Sequence, residues 1–229
     1  MILAIDTCQS ACSVALGTTD GVLVSHKWEE MGRGHAERLL PMIDEVFDDA
    51  GEAKSVLSKV LVTLGPGTFA GQRIGIAAAR ALALAFDIEV VGITVTELLA
   101  APWARGAGRA HDPTQLFTIL DARRNEAYVQ TFRKQAGQAV PSDRVRMINL
   151  DDLADHVPKG PFSVAGSGQR FAAAAMNTDF VLPDAKYAIG MKLANEDNSV
   201  RLPRPLYLRA PDADLPKNRP PQRKESPGG

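Results

Sequence analysis

The sequence predicts an α/β fold in which an antiparallel meander runs into parallel strands joined by helical crossovers. The central observation is residues 60–86: an apolar, β-branched run from Val60 gives way to a loop with Gly at 65, 67, 71 and 75, then to a run of Ala, Leu, Ile and Arg ending at Phe86. That pattern reads as strand, tight loop, helix. Ahead of it, Ile2 to Ile5, Ser13 to Leu16 and Val22 to Trp28 are three short apolar segments separated by polar turns, hence consecutive strands. Behind it, Ile88 to Ile93 reads as another buried strand and Thr94 to Ala101 as a helix, capped by Thr94 or Thr96 and ended by Pro102.

Composition sets the outer limits. The chain has 229 residues, 45% of them hydrophobic, enough for one large domain or two small lobes around a real core. With 26 Lys and Arg against 27 Asp and Glu, a net charge of −1 gives no broad electrostatic drive toward nucleic acid or an anionic membrane. No apolar run reaches the roughly 20 residues needed to cross a bilayer, and the N-terminus lacks a signal-peptide pattern, so a cytoplasmic location is expected. Cys8 and Cys12 have no second ligand pair nearby and are read as reduced thiols.

The remaining elements follow from the same periodicities. Gly32 to Gly34 leads into a helix from about His35 to Ala50, with Leu39, Ile43, Val46 and Phe47 on one stripe and Gly51 as its stop. Pro41 inside that pattern predicts a kink or a start nearer residue 40. Residues 104–113 read as a connector and lobe boundary. Beyond it, Leu116 to Leu120 and Glu126 to Phe132 form a hairpin whose tip carries Arg123 and Arg124. Val145 to Leu150 is a strand, Asp151 opens a short helix to His156, and Phe162 to Ala165 is a last strand. Gly166-Ser167-Gly168 then leads into a helix over Gln169 to Met176, echoing the Val60 region, and Tyr187 to Ala194 reads as a final helix. Arg204 to Arg209 is extended, and from Pro211 the composition predicts a disordered tail.

Two readings of the glycine loop stand side by side. Glycines let backbones approach closely, so Gly65, Gly67, Gly71 and Gly75 serve a structural turn; equally, the loop with Thr68 points at a helix N-terminus, which suits an anion. Neither a P-loop ending nor a G-x-G-x-x-G spacing is present. Asp6 and Thr7 at the mouth of the first strand read either as turn residues or as part of a phosphate and metal site. The small-residue helix, with Ala77, Ala78, Ala79 and Ala81, predicts a tight helix contact inside the chain or with a partner. The arginine pair at 123 and 124 is either solvated or a fork for a carboxylate or phosphate, and His35 is a packing or capping histidine.

Ile5-Asp6-Thr7, His35 with Leu39 to Ile43, the Leu64 to Gly75 loop, Asp121 to Arg124 followed by Tyr128, and Pro205 to Arg209 occur in one order along residues 1–209. In that order the chain resembles the TsaB (YeaZ) family, dimerisation subunits of the bacterial tRNA threonylcarbamoyladenosine machinery. Thr68, Ala70 and Gln72 depart from the family's usual loop, and Cys8 stands where Ser is common; Ala70 weakens any case for phosphate held by loop side chains.

The resemblance implies an actin-like (ASKHA, ribonuclease H-like) two-lobed fold with a complete N-terminal lobe at 1–103, a reduced C-terminal lobe at 104–210 and a tail at 211–229. It implies a TsaD-type catalytic paralogue as partner, a TsaE-type ATPase, a homodimer when alone, and tRNA contact only through the complex. The first two helices would form the partner face, involving His35, Leu39, Leu40 and Ile43 on one and Phe69, Arg73, Gly75, Ala78, Ala79 and Leu82 on the other. No cofactor is required by the chain itself, with ATP or ADP expected only at the interface of the complex. TsaD carries a metal-binding histidine pair after the strand equivalent to Glu89 to Ile93, whereas Gly92 to Ala100 here has no histidine, only Glu97. The chain is therefore expected to be non-catalytic; an ATP-dependent phosphotransferase or a metallopeptidase of the same superfamily is the competing reading.

Overall fold

The computed structural model describes residues 1–107, 113–172, 176–191 and 203–208. Strands β1 (Ile2–Asp6), β2 (Ala11–Gly17) and β3 (Leu23–Glu30) form the expected meander. Helix α1 (His35–Ala50) leads to β4 (Lys59–Thr63), α2 (Phe69–Phe86), β5 (Glu89–Ile93) and α3 (Val95–Pro102). Together the strands make a five-stranded sheet in the order β3-β2-β1-β4-β5, with β1 parallel to β4 and β4 parallel to β5.

The pleat sorts side chains to two cores. Leu3, Ile5, Val14, Leu16, Val60 and Val62 face α1 and α2, while Ala4, Ala15 and Leu61 face α3 and the 185–189 turn. Helix α1 starts at His35 despite Pro41, entered through left-handed Gly34 and closed by left-handed Gly51, whose N–H returns to Asp48 O. Arg38 grips Glu29 on β3 at 2.5 Å and Glu45 at 2.7 Å, pinning the helix to the edge strand. Helix α2 begins at Phe69, within the stretch that the glycine pattern reads as loop, because Thr68 caps it by accepting the Gly71 N–H.

After a single π-turn at Trp103–Ala107, β6 (Gln115–Arg123) and β7 (Glu126–Gln135) form the second hairpin. With β8 (Gln138–Pro141), β10 (Ser163–Ala165) and β11 (Met176–Asn177) they build a second sheet ordered β11-β10-β6-β7-β8, and β9 (Arg146–Asn149) pairs with β7. A 3-10 turn at Leu150–Asp152 and helix α4 (Leu153–His156) lie between β9 and β10.

Two expected helices are corrected. Gly168 opens only a 3-10 turn, Gln169–Phe171, before β11, because Gly166 and Gly168 lie against the Ile119 backbone and Gly168 N donates to Ile119 O at 2.9 Å. The helix placed at 187–194 is instead a 3-10 turn at Ala185–Ala188 capped by Asp184, after which Ile189 is extended; residues 192–194 lie outside the described residues. The tail at 211–229 and Arg209 also lie outside them.

The closest approach in the first lobe sets the direction of α2. A Cβ on Gly71 would sit 2.0 Å from Thr7 O, and one on Gly67 would sit 2.1 Å from Cys8 O. No side chain fits there, so the end of β1 and the start of α2 meet backbone to backbone. Gly71→Ala is expected to cost about 3 kcal/mol or more in unfolding free energy, read as a lowered urea midpoint at unchanged m.

Candidate functional site

The loop between β4 and α2 is closed by its own chain. Thr7 Oγ1 donates to Gly71 O at 2.6 Å, Thr68 N donates to Cys8 O at 2.8 Å, Gln72 N to Thr68 O, and Gln72 Nε2 to Gly67 O. Gly65 O in turn accepts the N–H of Val95 at the start of α3. The close-packing reading of the glycines is the one this geometry supports. The N–H groups of Thr68, Gly71 and Gln72 are bonded within the chain.

Asp6 lies beneath this loop, fully buried. Its Oδ1 accepts from Thr63 Oγ1 at 2.5 Å, while its Oδ2 has no partner. Burial pushes the carboxyl up to about 6, with the Thr63 hydrogen bond working against that rise. Asp184 lies close enough to raise it further, and is itself tied to His26 at 2.7 Å and Lys186 at 2.8 Å. Burial acts to raise Asp184 too, but those two partners outweigh it and hold its carboxyl below the ordinary range. The thiols of Cys8 and Cys12 are both free and buried; desolvation pushes Cys8 well up and Cys12 to about 12, so both stay protonated.

Side chains from both halves of the chain pack together at the end of β1. Cys8 belongs to an apolar cluster with Val95, Leu99 and Trp103 from the first half of the chain and Leu116, Leu120, Phe132 and Phe180 from the second. A polar chain runs beside it: Thr96 Oγ1 donates to Gln130 Oε1 at 2.5 Å, and Gln130 O accepts from Thr118 Oγ1. Glu97 is occupied as well, closing a capping box by accepting from Thr94 N at 2.7 Å and Thr94 Oγ1 at 2.8 Å. Ser167, in the second glycine turn, accepts the Asp121 N–H, and Arg170 pairs with Asp121 at 2.5 Å.

The residues expected at a partner face divide into two sets. His35, Leu39, Ile43, Gly75 and Ala79 are buried in the chain's own core, and Ala78 and Leu82 pack against it. His35 Nε2 meets Ala11 O at 3.2 Å, which makes it a packing histidine. Gly75 faces Thr7 and Val62, so the small residues of α2 serve the sheet beneath. Facing outward are Leu40 on α1 and Phe69, Arg73, Ala77, Arg80 and Leu84 on α2, spaced along one stripe. Leu84 is 87% exposed and Leu40 59%.

Segment 203–208 lies along this stripe. Arg80 Nη2 donates to Pro203 O at 2.5 Å, Leu206 N to Leu64 O at 2.7 Å, and Arg73 Nε to Tyr207 OH at 2.7 Å. Tyr207 stacks on Phe69 with ring centroids 5.2 Å apart, and the Arg73 guanidinium sits 3.7 Å over the Phe69 ring. The sequence motif at 205–209 was visible, but its docking on Phe69 and Arg73 had no local signal.

A meander continued by parallel crossover strands, a glycine loop at β1 and a smaller second sheet define an actin-like two-lobed α/β protein. The family model described as "TsaD: tRNA N6-adenosine threonylcarbamoyltransferase" matches residues 28–196. The Escherichia coli protein named "tRNA threonylcarbamoyladenosine biosynthesis protein TsaB" is 35% identical over 133 residues, 58% of this chain and 55% of that one. A Bacillus subtilis protein of the same name is 33% identical over 64% of this chain and 62% of its own length. The alignments therefore span only about half to three fifths of those relatives. An uncharacterised Mycobacterium tuberculosis protein is 31% identical over 93% of both chains. The solved structure "YeaZ from Pseudomonas aeruginosa" superposes with a TM-score of 0.78 at 28% identity, over 90% of this chain and 99% of that one. The chain belongs to the matched family and, within it, to its TsaB (YeaZ) group.

The buried carboxyl makes a test of the interior. The folded protein holds the Asp6 proton more tightly than the unfolded chain does, so ionisation weakens the fold as pH rises from the ordinary value of 3.8 through about 6. Asp6→Asn removes that penalty. Its unfolding free energy relative to the parent should climb by up to about 3 kcal/mol between pH 4 and pH 7; a difference flat with pH would show that Asp6 titrates normally.

Proposed function

We propose that this chain is a non-catalytic subunit that binds a TsaD-type threonylcarbamoyltransferase through the outer stripe of α2 and Leu40 of α1, supporting formation of threonylcarbamoyladenosine next to the tRNA anticodon. The observation that carries the reading is the division of α2 into two faces. Its glycine and alanine face is used up against β1 and β4, while Phe69, Arg73, Arg80 and Leu84 remain outside with Leu40 beside them. An exposed stripe of large apolar side chains with interspersed arginines has the composition of a protein interface core. The charges add direction: α1 presents Glu37, Asp44 and Asp48 outward, α2 presents Arg73 and Arg80. A partner built from a related pair of helices meets both with opposite sign across a pseudo-two-fold axis. The same logic accounts for a homodimer when the paralogue is absent.

A role without chemistry of its own fits the interior. The apolar cluster around Cys8 packs at the end of β1, and Glu97 closes a helix cap. Among the described residues no group of three or more His, Cys, Asp or Glu converges as a metal site, and no helix is long and apolar enough to cross a membrane. In the proposed complex a TsaE-type ATPase, ATP or ADP at the subunit interface and tRNA are met jointly with the catalytic subunit, in the cytoplasm.

Ala77 lies on the outer stripe, whereas Ala78 packs against the chain's own core, so Ala77→Arg is the cleaner probe. Light scattering after size exclusion, with the TsaD-type protein of the same cell, should give a one-to-one complex for the parent chain. Ala77→Arg should weaken that complex at least about tenfold at an unchanged melting temperature. No complex with the parent chain, or ATP turnover by the chain alone, would overturn the reading.

A further inference from the structure

Residues 203–208 cross the face just described without covering it, and the question is what they do there. The segment is held at three points that do not involve the Tyr207 side chain: Pro203 O takes the Arg80 hydrogen bond, Leu206 N reaches Leu64 O, and Leu208 packs against the cluster between the two sheets. These fix the backbone across the start of α2, and Tyr207 projects from it onto Phe69. The three side chains meet one another: the Arg73 guanidinium lies 3.7 Å from the Phe69 ring centroid and 5.8 Å from that of Tyr207, the two rings stack at 5.2 Å, and the Tyr207 hydroxyl accepts from Arg73 Nε at 2.7 Å. After this stacking Phe69 is still 47% exposed and Tyr207 44%.

We propose that segment 203–208 is a strap and that Tyr207 is a positioning residue: it holds Phe69 and Arg73 in one arrangement as the anchor that a second protein subunit grips. The proposal rests on the partner reading above and names the residues at which binding is concentrated. Aromatic rings and arginines dominate binding energy at protein interfaces, and a long guanidinium side chain normally loses much freedom when bound. Here that freedom is already removed by two rings and a hydrogen bond, so less ordering is left for the association step. Leu40 on α1 and Leu84 on α2 add exposed apolar side chains to those of the two rings. The fitting partner is thus a folded protein offering an apolar helix face, the same class of subunit as proposed above.

Because the strap's backbone anchors do not use the Tyr207 ring, Tyr207→Ala removes the ring while leaving the segment docked. Binding of the TsaD-type protein by the full chain is measured for the parent, Tyr207→Ala and Tyr207→Phe, with the melting temperature of each free chain alongside. Tyr207→Ala should raise Kd about tenfold or more with melting unchanged, and Tyr207→Phe, which keeps the stacking ring, should recover most of the loss. Parent-like or tighter binding by Tyr207→Ala would overturn the proposal, the tighter case making the strap a cover instead. A loss of affinity accompanied by a matching fall in melting temperature would also overturn it, reducing Tyr207 to a structural role. If the parent chain itself forms no complex, the partner reading fails first and this one with it.

Discussion

The whole arrangement depends on one close approach, where the carbonyls of Thr7 and Cys8 lie against the α-carbons of Gly71 and Gly67. Because no side chain separates them, α2 is drawn down onto the sheet at its first turn and its axis is set by backbone geometry. Thr68 can then cap the helix, Thr7 can bond Gly71 O, and Gly65 O can receive α3. The opposite side of α2 is thereby turned outward along its full length. A helix held by bulkier side chains would sit farther out and present a different stripe.

That constraint explains what could and could not be read from the residues alone. The first lobe was legible nearly element by element, because its strands alternate toward two buried faces and its helices end at Gly51 and near Pro102. The glycine spacing gave the loop but delayed the start of α2, since Gly71 and Gly75 look like breakers while here they permit contact. Small residues at 75, 78 and 79 signalled a close contact without saying with what, and the sheet took it. In the second lobe, Gly166 and Gly168 imitated the first loop in composition only; they meet Ile119 instead of opening a helix. Strand β8 was missed because its Gln138 to Pro141 run is half exposed and weakly patterned. Asp184 with His26, and Tyr207 with Arg73, join residues far apart in sequence, and no local pattern announces such pairs.

The junction of the two sheets is as informative as the outer face. Apolar side chains from both halves interlock around Cys8, and the buried Thr96 to Gln130 hydrogen bond crosses beside them. Each such polar bond is modest in net stability, yet leaving one partner unpaired in that setting is costly, so the pair specifies one alignment of α3 on β7. Asp6 Oδ2 is one of several buried polar atoms without a partner, with Gln72 Oε1, Trp103 Nε1 and Ser163 Oγ, and burial makes the Asp6 carboxyl a weaker acid.

Arg73 and Tyr207 are 134 residues apart, and this separation makes the outer face discontinuous in sequence. Phe69 and Arg73 come from the first turn of α2, whereas Tyr207 comes from a segment that follows the second sheet in the chain. A linear peptide taken from α2 alone carries the Phe69 ring and the Arg73 guanidinium without the Tyr207 ring and hydroxyl that meet them. The three groups come together only in the folded chain, so the face is a property of the fold and not of any one stretch of sequence.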